Sequence, residues 1–411
     1  MKFLQLPIRL YKDAYTGLTP AIWWLSLVLL INRAGTMVIP FMTVYLTQQL
    51  HFPIAQAGIV MACFGSGAIA GALLGGWLSD KIGFYQVQFW SLFLNGLFFF
   101  LLGQLQTFPQ FCAVAFIQGT VADAFRPANS IAITAYSTGQ NRTRSYALNR
   151  LAVNLGWSVG PALGGMLASI SYHFLFWVDG FTCITAAILM RMLLPPVPAP
   201  PKAKHNEAAR KTDGVIKDRL FLWFILFATI TAICLFQFSN MIPLYFKQEL
   251  KMKEWLIGLN MSLNGILIVF VEMVLVHRLN GKKPDLLYVV FGILLIAVAY
   301  LLINLSMWYH IFSVLFIMVL TFGEIFCLPF MNNFWFSRSK EHNRGQYAAL
   351  YTISYSFANI ATPTAGTFIV QQLGFSAWWL ITIGLCLLAA GGTYWVHKKA
   401  AGAAFFTKIV N

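Results

Sequence analysis

Six charged residues stand where charge is costly. Arg33, Asp123, Arg126, Arg150, Glu272 and Glu324 each fall inside a long apolar stretch. An ionisable group in hydrocarbon is a functional candidate by default, because it can move a proton or meet a polar ligand. Glu324 follows Gly323 near the middle of its apolar run, and no basic residue neighbours it in sequence. A carboxyl in low-dielectric surroundings exchanges its proton nearer neutral pH than one in water. Proton coupling needs that property, so Glu324 and Asp123 are the first candidates as proton carriers. Glu272 is the third, since it lies closer to an end of its run and can reach water. Asp123 and Arg126, three apart on one helical face, can pair with each other. A purely structural pair and a proton-carrying Asp123 are both compatible with that spacing. Arg33, near the same depth, competes for Asp123. Arg33, Arg126 and Arg150 are therefore the candidate charge partners. Asp179 opens a later run and reads as a solvated or capping acid.

Amides are the second unusual class inside apolar stretches. Asn32, Gln118, Asn154, Gln237, Asn240, Asn264 and Asn332 are candidate substrate-binding residues. Tyr45, Asn129, Asn149 and Asn333 share the pattern. Some of these will only bond neighbouring helices, as polar side chains in membranes do.

The elements that must hold these residues are membrane-spanning helices. Of 411 residues, 59% are hydrophobic and 10% charged, against about 25% charged in soluble domains. Runs long enough to cross a bilayer follow one another. The expected fold is an all-α membrane protein with twelve transmembrane helices, at about 22–49, 54–78, 88–105, 109–135, 145–170, 174–194, 220–246, 254–277, 285–305, 309–337, 344–371 and 376–397. Residues 195–219 differ in kind, with Pro195, Pro196, Pro198, Pro200 and Pro201 followed by Lys202, Lys204, Arg210, Lys211 and Lys217. They read as a solvated linker between a first bundle at 1–194 and a second at 220–411.

The halves repeat. Tyr45–Leu50 reappears as Tyr245–Leu250, Gly58 and Gly65 as Gly258 and Gly265, and Pro161 and Gly164 as Pro363 and Gly366. Two six-helix bundles related by a pseudo-two-fold axis follow, a design that alternates access to a site near the midplane. Lys and Arg gather in every second loop and at both ends. This places both termini on the cytoplasmic side of what is expected to be a bacterial inner membrane. Lys247, Lys251 and Lys253 break that pattern.

Two glycine-bearing stretches point to moving parts. In Gly156-Trp157-Ser158-Val159-Gly160-Pro161-Ala162-Leu163-Gly164-Gly165, Gly156, Gly160 and Gly164 share one helical face, onto which another helix can pack closely. Pro161 removes a backbone donor. The stretch reads as ordinary packing or as a hinge or seal between moving bundles. Gly76-Trp77-Leu78-Ser79-Asp80-Lys81-Ile82-Gly83 sets an acid, a base and glycines in a turn between spans. Asp80 and Lys81 can form a latch there, with Asn280 at the matching place in the second half.

The chain resembles the major facilitator superfamily over nearly its whole length. The loop is similar to the family's G-x-L-x-D-[RK]-x-G signature, departing at Phe84 and Tyr85. The Gly156 decad matches G-x-x-x-G-P-x-x-G-G at every specified position, a motif associated with drug:proton antiporters. A span-four signature beginning R-x-x-Q-G survives as Gln118-Gly119, with Ala115 in the arginine place; Arg126 or Arg33 is then the substitute. The resemblance implies a secondary transporter exporting small amphipathic compounds or drugs in exchange for protons. A proton symporter importing a nutrient, siderophore or peptide is the alternative.

Other classes fit poorly. The net charge of +15 sits in short loops rather than in a groove, so nucleic acid is not an expected partner. No phosphate loop and no enzyme constellation occurs. The six cysteines are single and scattered, without metal or disulfide spacing. The expectation is a monomeric, cofactor-free carrier, driven by a proton gradient, whose partners are a small-molecule substrate and the lipid bilayer.

Overall fold

The computed structural model describes residues 17–138, 141–197, 215–279, 281–306, 311–339 and 343–410. Most of the expected linker lies outside these residues, as do Asn280, Lys340 and the basic residues before position 17. Among the described residues no strand occurs. The helices are α1 Pro20–Ala34, α2 Val38–Gln48, α3 Ile54–Ile82, α4 Phe84–Leu102, α5 Phe108–Tyr136, α6 Arg142–Ile170 and α7 His173–Leu193. They continue with α8 Arg219–Asn240, α9 Ile242–Gln248, α10 Glu254–Leu279, α11 Asp285–Leu305, α12 Ile311–Arg338 and α13 Arg344–Val410.

Ten helical segments are long and apolar enough to cross a membrane. Helix α5 is not among them, because Gln118, Thr120, Asp123 and Arg126 dilute its apolar content. Helix α13 counts once although Gly374, at φ +80° and ψ 171°, leaves the helical region within it. Only glycine takes that backbone without strain.

Two expected spans are broken rather than continuous. The first divides at Gly35–Met37 into α1 and α2, and the seventh at Met241 into α8 and α9. Each break precedes a proline in the new helix's first turn, Pro40 and Pro243. A proline there cannot donate to the carbonyl one turn back, so the ladder is interrupted at that level.

The chain forms two compact units. One draws its described residues from Met1–Ile39 and Ser66–Lys202, the other from Pro40–Gly65 and Ala203–Asn411. The segment 40–65 thus packs with the second unit, although it lies in the first half of the sequence.

In the first unit α1 packs against α6 and α7, and α4 against α5 and α7. Ile22, Leu25, Leu29, Phe84, Phe125 and Met190 are core residues there. Helix α3 meets α5 along Gly67, Gly71 and Gly75. A Cβ at each would strike the carbonyl of Phe116, Thr120 or Ala124, respectively. Glycines four apart thus face carbonyls four apart, and the backbones touch.

In the second unit α8 packs against α13, α11 against α12 and α13, and α10 against α12. Its core is aromatic. Trp379 stacks on Tyr300 at 5.5 Å between ring centroids, and the buried Tyr245 hydroxyl donates to the Ile303 carbonyl at 3.1 Å. Lys247, out of place by the loop-charge pattern, has a structural partner: its Nζ lies 2.5 Å from Glu254 Oε1.

Asp218 ties one end of this unit together. It caps α8 by accepting from the Phe221 amide at 3.1 Å. It also accepts from Arg338 Nε at 2.6 Å and Nη2 at 2.7 Å, and from the Tyr347 hydroxyl at 2.8 Å. Burial pushes the Asp218 carboxyl up, but hydrogen bonds from Arg338, Phe221 and Tyr347 outweigh it and hold the group below the usual aspartate value.

Candidate functional site

Each unit carries a polar centre inside its helices. In the second unit the centre is Glu324. Helix α12 can carry it at close quarters because Gly323 meets Gly292 and Ile296 of α11, where any side chain at position 323 would collide. Asn264 of α10 donates to Glu324 Oε2 at 3.0 Å and to Thr321 Oγ1 at 3.0 Å. Thr321 in turn donates to the Ile317 carbonyl one turn back at 2.6 Å. Two residues chosen separately from sequence, a proton carrier and an amide, are therefore one site. Beside it Tyr351 donates to the Tyr355 hydroxyl at 3.0 Å, and Tyr355 reaches Met331 Sδ at 3.8 Å. An amide of a neighbouring helix thus holds the Glu324 carboxyl.

In the first unit the centre is on α5. Arg126 Nε lies 2.7 Å from Asp123 Oδ1. The side chains differ in exposure, 63% for Arg126 against 16% for Asp123, so the acid is held inward and the guanidinium reaches outward. Arg33 is half-buried, and its Nε has no hydrogen-bond partner. A ladder of amides crosses four helices below this pair. Gln88 of α4 donates to Asn129 of α5 at 3.2 Å, Asn129 to Asn149 of α6 at 2.9 Å, and Asn149 to Ser26 of α1 at 3.5 Å. These amides bind helices to one another, as polar groups in membranes do.

The remaining candidates divide. Gln118 and Gln237 are fully buried, and Nε2 of each lacks a partner; Gln237 Oε1 accepts from Trp378 at 3.0 Å. Asn240 turns back to its own helix at the Phe236 carbonyl, 2.9 Å away. Asn32 and Asn95 both donate to Cys183 Sγ, at 3.5 and 3.4 Å. Asn332 is exposed and accepts from Trp335 at 3.1 Å. Asn154 and Glu272 are half-buried, and Arg150 is exposed. Asp80 and Lys81 are exposed at the end of α3; Lys81 Nζ sits 3.9 Å from the Trp77 ring centroid. Gly83 turns the chain into α4 at φ +86°.

Helix α6 remains helical through Pro161. The close approach at Gly156 and Gly160 is made inside the first unit, against Arg33, Ala34 and Thr36 at the end of α1. Gly164 and Gly165 are buried as well. Asp179, expected as a solvated or capping acid, is wholly buried and caps the start of α2, accepting from the Met37 and Val38 amides. Its signal was in the sequence: an acid within the first turns of an apolar run. Asp218, and the four-residue spacing of Gly67, Gly71 and Gly75, were equally visible and were not singled out.

The model of the Major Facilitator Superfamily matches residues 25–363. The chain belongs to this superfamily. Superfamily members similar to it over most of its length include the Na(+), Li(+), K(+)/H(+) antiporter of Planococcus maritimus, 25% identical over 89% of this chain and 92% of the relative. The quinolone resistance protein NorA of Staphylococcus aureus is 21% identical, over 80% of this chain and 84% of the relative. Among solved structures, a POT family transporter in complex with 5-aminolevulinic acid superposes with TM-score 0.77 at 16% identity, covering 93% of this chain and 96% of that one. The nucleoside transporter NupG gives 0.75 at 15% identity, covering 92% and 99%. These likenesses show the superfamily fold in a membrane transporter.

Proposed function

We propose that the chain is a twelve-span secondary transporter exporting small amphipathic compounds in exchange for protons. The carrying observation is Glu324, a carboxyl inside an apolar helix with its Oε2 seated on Asn264. Such a group takes a proton from one side and returns it to the other when access alternates. Twelve spans are supported by counting α1 with α2, α8 with α9, and α13 as two helices meeting at Gly374. Asp123 with Arg126 is the second proton site, and Glu272 the third. Arg33 and Arg150 serve as charge partners. Substrate meets Asn32, Gln118, Asn154, Gln237, Asn240, Asn264 and Asn332. The stretch Gly76–Gly83, expected as a turn but forming the last turns of α3 up to Gly83, and the decad at Gly156 are the conformational elements. The relatives that exchange ions for protons or confer quinolone resistance support export over import. The protein acts as a monomer in a bacterial cytoplasmic membrane, with both termini inside and the proton gradient as its energy source.

Proteoliposomes with an imposed pH gradient test this. Substrate flux should follow the proton gradient in the wild type and lose that dependence in Glu324→Gln. Full coupled flux in the variant removes Glu324 from the mechanism. The second reading is proton symport inward, favoured by Ala115 in the place of the span-four arginine. Under it, substrate and protons enter the vesicle together.

A further inference from the structure

The break in the first span is held from two sides, by glycines of α6 and by two residues of α7 that the transport reading leaves unused. On one side, helix α6 presents Gly156 to Arg33 and Ala34, and Gly160 to the Ala34 and Thr36 carbonyls. On the other, helix α7 presents Asp179 and Thr182. Gly35 sits so close to Thr182 that a Cβ there would collide with its side chain. Asp179 accepts the Met37 amide at both carboxyl oxygens, 3.1 and 2.9 Å, and the Val38 amide at Oδ2, 2.8 Å. Those amides begin α2. The chain passes from the first compact unit to the second at Ile39–Pro40, two residues beyond.

The carboxyl is wholly buried, and among the described residues it has no ion-pair partner. Its charge is met only by backbone N–H groups at a helix N-terminus, whose dipole favours an anion. Such charge-assisted bonds are about twice as strong as neutral ones. Added hydrogen on either oxygen removes both the charge and an acceptor site. The titratable groups around it are few. Helix α1 offers Arg33, which feels Asp123 and Arg126 of α5, and helix α7 itself offers Cys183. Helix α4 carries only Tyr85, near its start. The arginines of α6, Arg142, Arg144 and Arg150, lie in its first third.

We propose that Asp179 is a proton-binding site that governs the break between α1 and α2. As a carboxylate it pins the start of α2 to α7 while the glycines of α6 back the joint. As a carboxylic acid it releases the Met37 and Val38 amides, and the first turn of α2 loosens. The unpaired Arg33 Nε at the end of α1 fits the same joint, being a donor left open in this arrangement.

Hydrogen–deuterium exchange of the full chain in lipid nanodiscs tests this without any substrate. Exchange across residues 35–48 is read at alkaline and acid pH and corrected for the intrinsic chemical rate. Wild-type protection should fall by about tenfold on acidification, as a charge-assisted cap is lost. Asp179→Asn should show low protection at both pH values. Infrared difference spectra should show a neutral carboxyl band appearing in the wild type over the same pH range and missing from Asp179→Asn. Protection independent of pH in the wild type makes Asp179 a permanent cap and overturns the proposal, even where Asp179→Asn does not fold. An Asp179→Asn chain that keeps the wild-type profile overturns it too. Neither outcome bears on Glu324 or on the direction of transport, so the exporter proposal stands or falls separately.

Discussion

Asn264 gives one side-chain nitrogen to two acceptors, Glu324 Oε2 and Thr321 Oγ1, both at 3.0 Å. An amide NH2 has two hydrogens, and both are used on α12. The orientation of Glu324 therefore depends on a residue of α10, and any movement of α10 against α12 changes the surroundings of the carboxyl.

Asn264→Leu should consequently impair coupling while Glu324 is still present. Loss of one charge-assisted hydrogen bond is worth about 1.5–3 kcal/mol, or roughly tenfold or more in proton-driven flux. Flux in proteoliposomes and thermal stability in detergent are measured together. Normal coupling in a stable Asn264→Leu chain means that the amide only braces the helices.

Asp123 and Arg126 should behave as a unit. Arg126→Gln leaves a mostly buried carboxylate without its partner, whereas Asp123→Asn with Arg126→Gln removes both charges. Breaking a pair costs more than replacing it. The single variant should melt below the double one. The reverse order shows that Arg126, with its outward guanidinium, acts on something other than Asp123.

Asp218 sets an acid limit on stability. Its carboxyl titrates lower in the folded chain than in the unfolded one. A depressed value favours the folded state above the unfolded aspartate pKa of about 3.9, and that contribution disappears as pH falls through the folded value. The Tm of the wild type should therefore drop with acidification more steeply than that of Asp218→Asn. Arg338→Ala should cost about 2 kcal/mol at neutral pH, since two charge-assisted bonds to a half-buried acid are lost. Thermal melts across pH decide both.

The glycine face of α3 should tolerate no side chain. Gly71→Leu forces the α3 and α5 backbones apart at Thr120, and overpacking of this kind costs about 1–3 kcal/mol. The same substitution at Gly76, where a Cβ meets open space, should leave Tm nearly unchanged. Equal effects at the two positions mean that the close crossing does not control stability.

Composition and periodicity by themselves determined the class. A chain with charge this rare and apolar runs this long can satisfy its backbone only as membrane helices. The repeat of Tyr45–Leu50 as Tyr245–Leu250 and the intramembrane carboxyls were legible for the same reason: each is a property of residue type at a position along one helix. What sequence could not settle is which helices touch. Glu324 and Asn264 are sixty residues apart, and their bond exists only because α10 packs on α12. The Gly156 face is visible in sequence, but its partner is not; packing, not spacing, seats it on the end of α1. Asp179 read as a solvated or capping acid because it opens a helix, and only the approach of the Met37 and Val38 amides makes it a buried cap. A one-dimensional pattern fixes how much of a helix is apolar. The third dimension decides what each polar group faces, and for a charge without water that decides its chemistry.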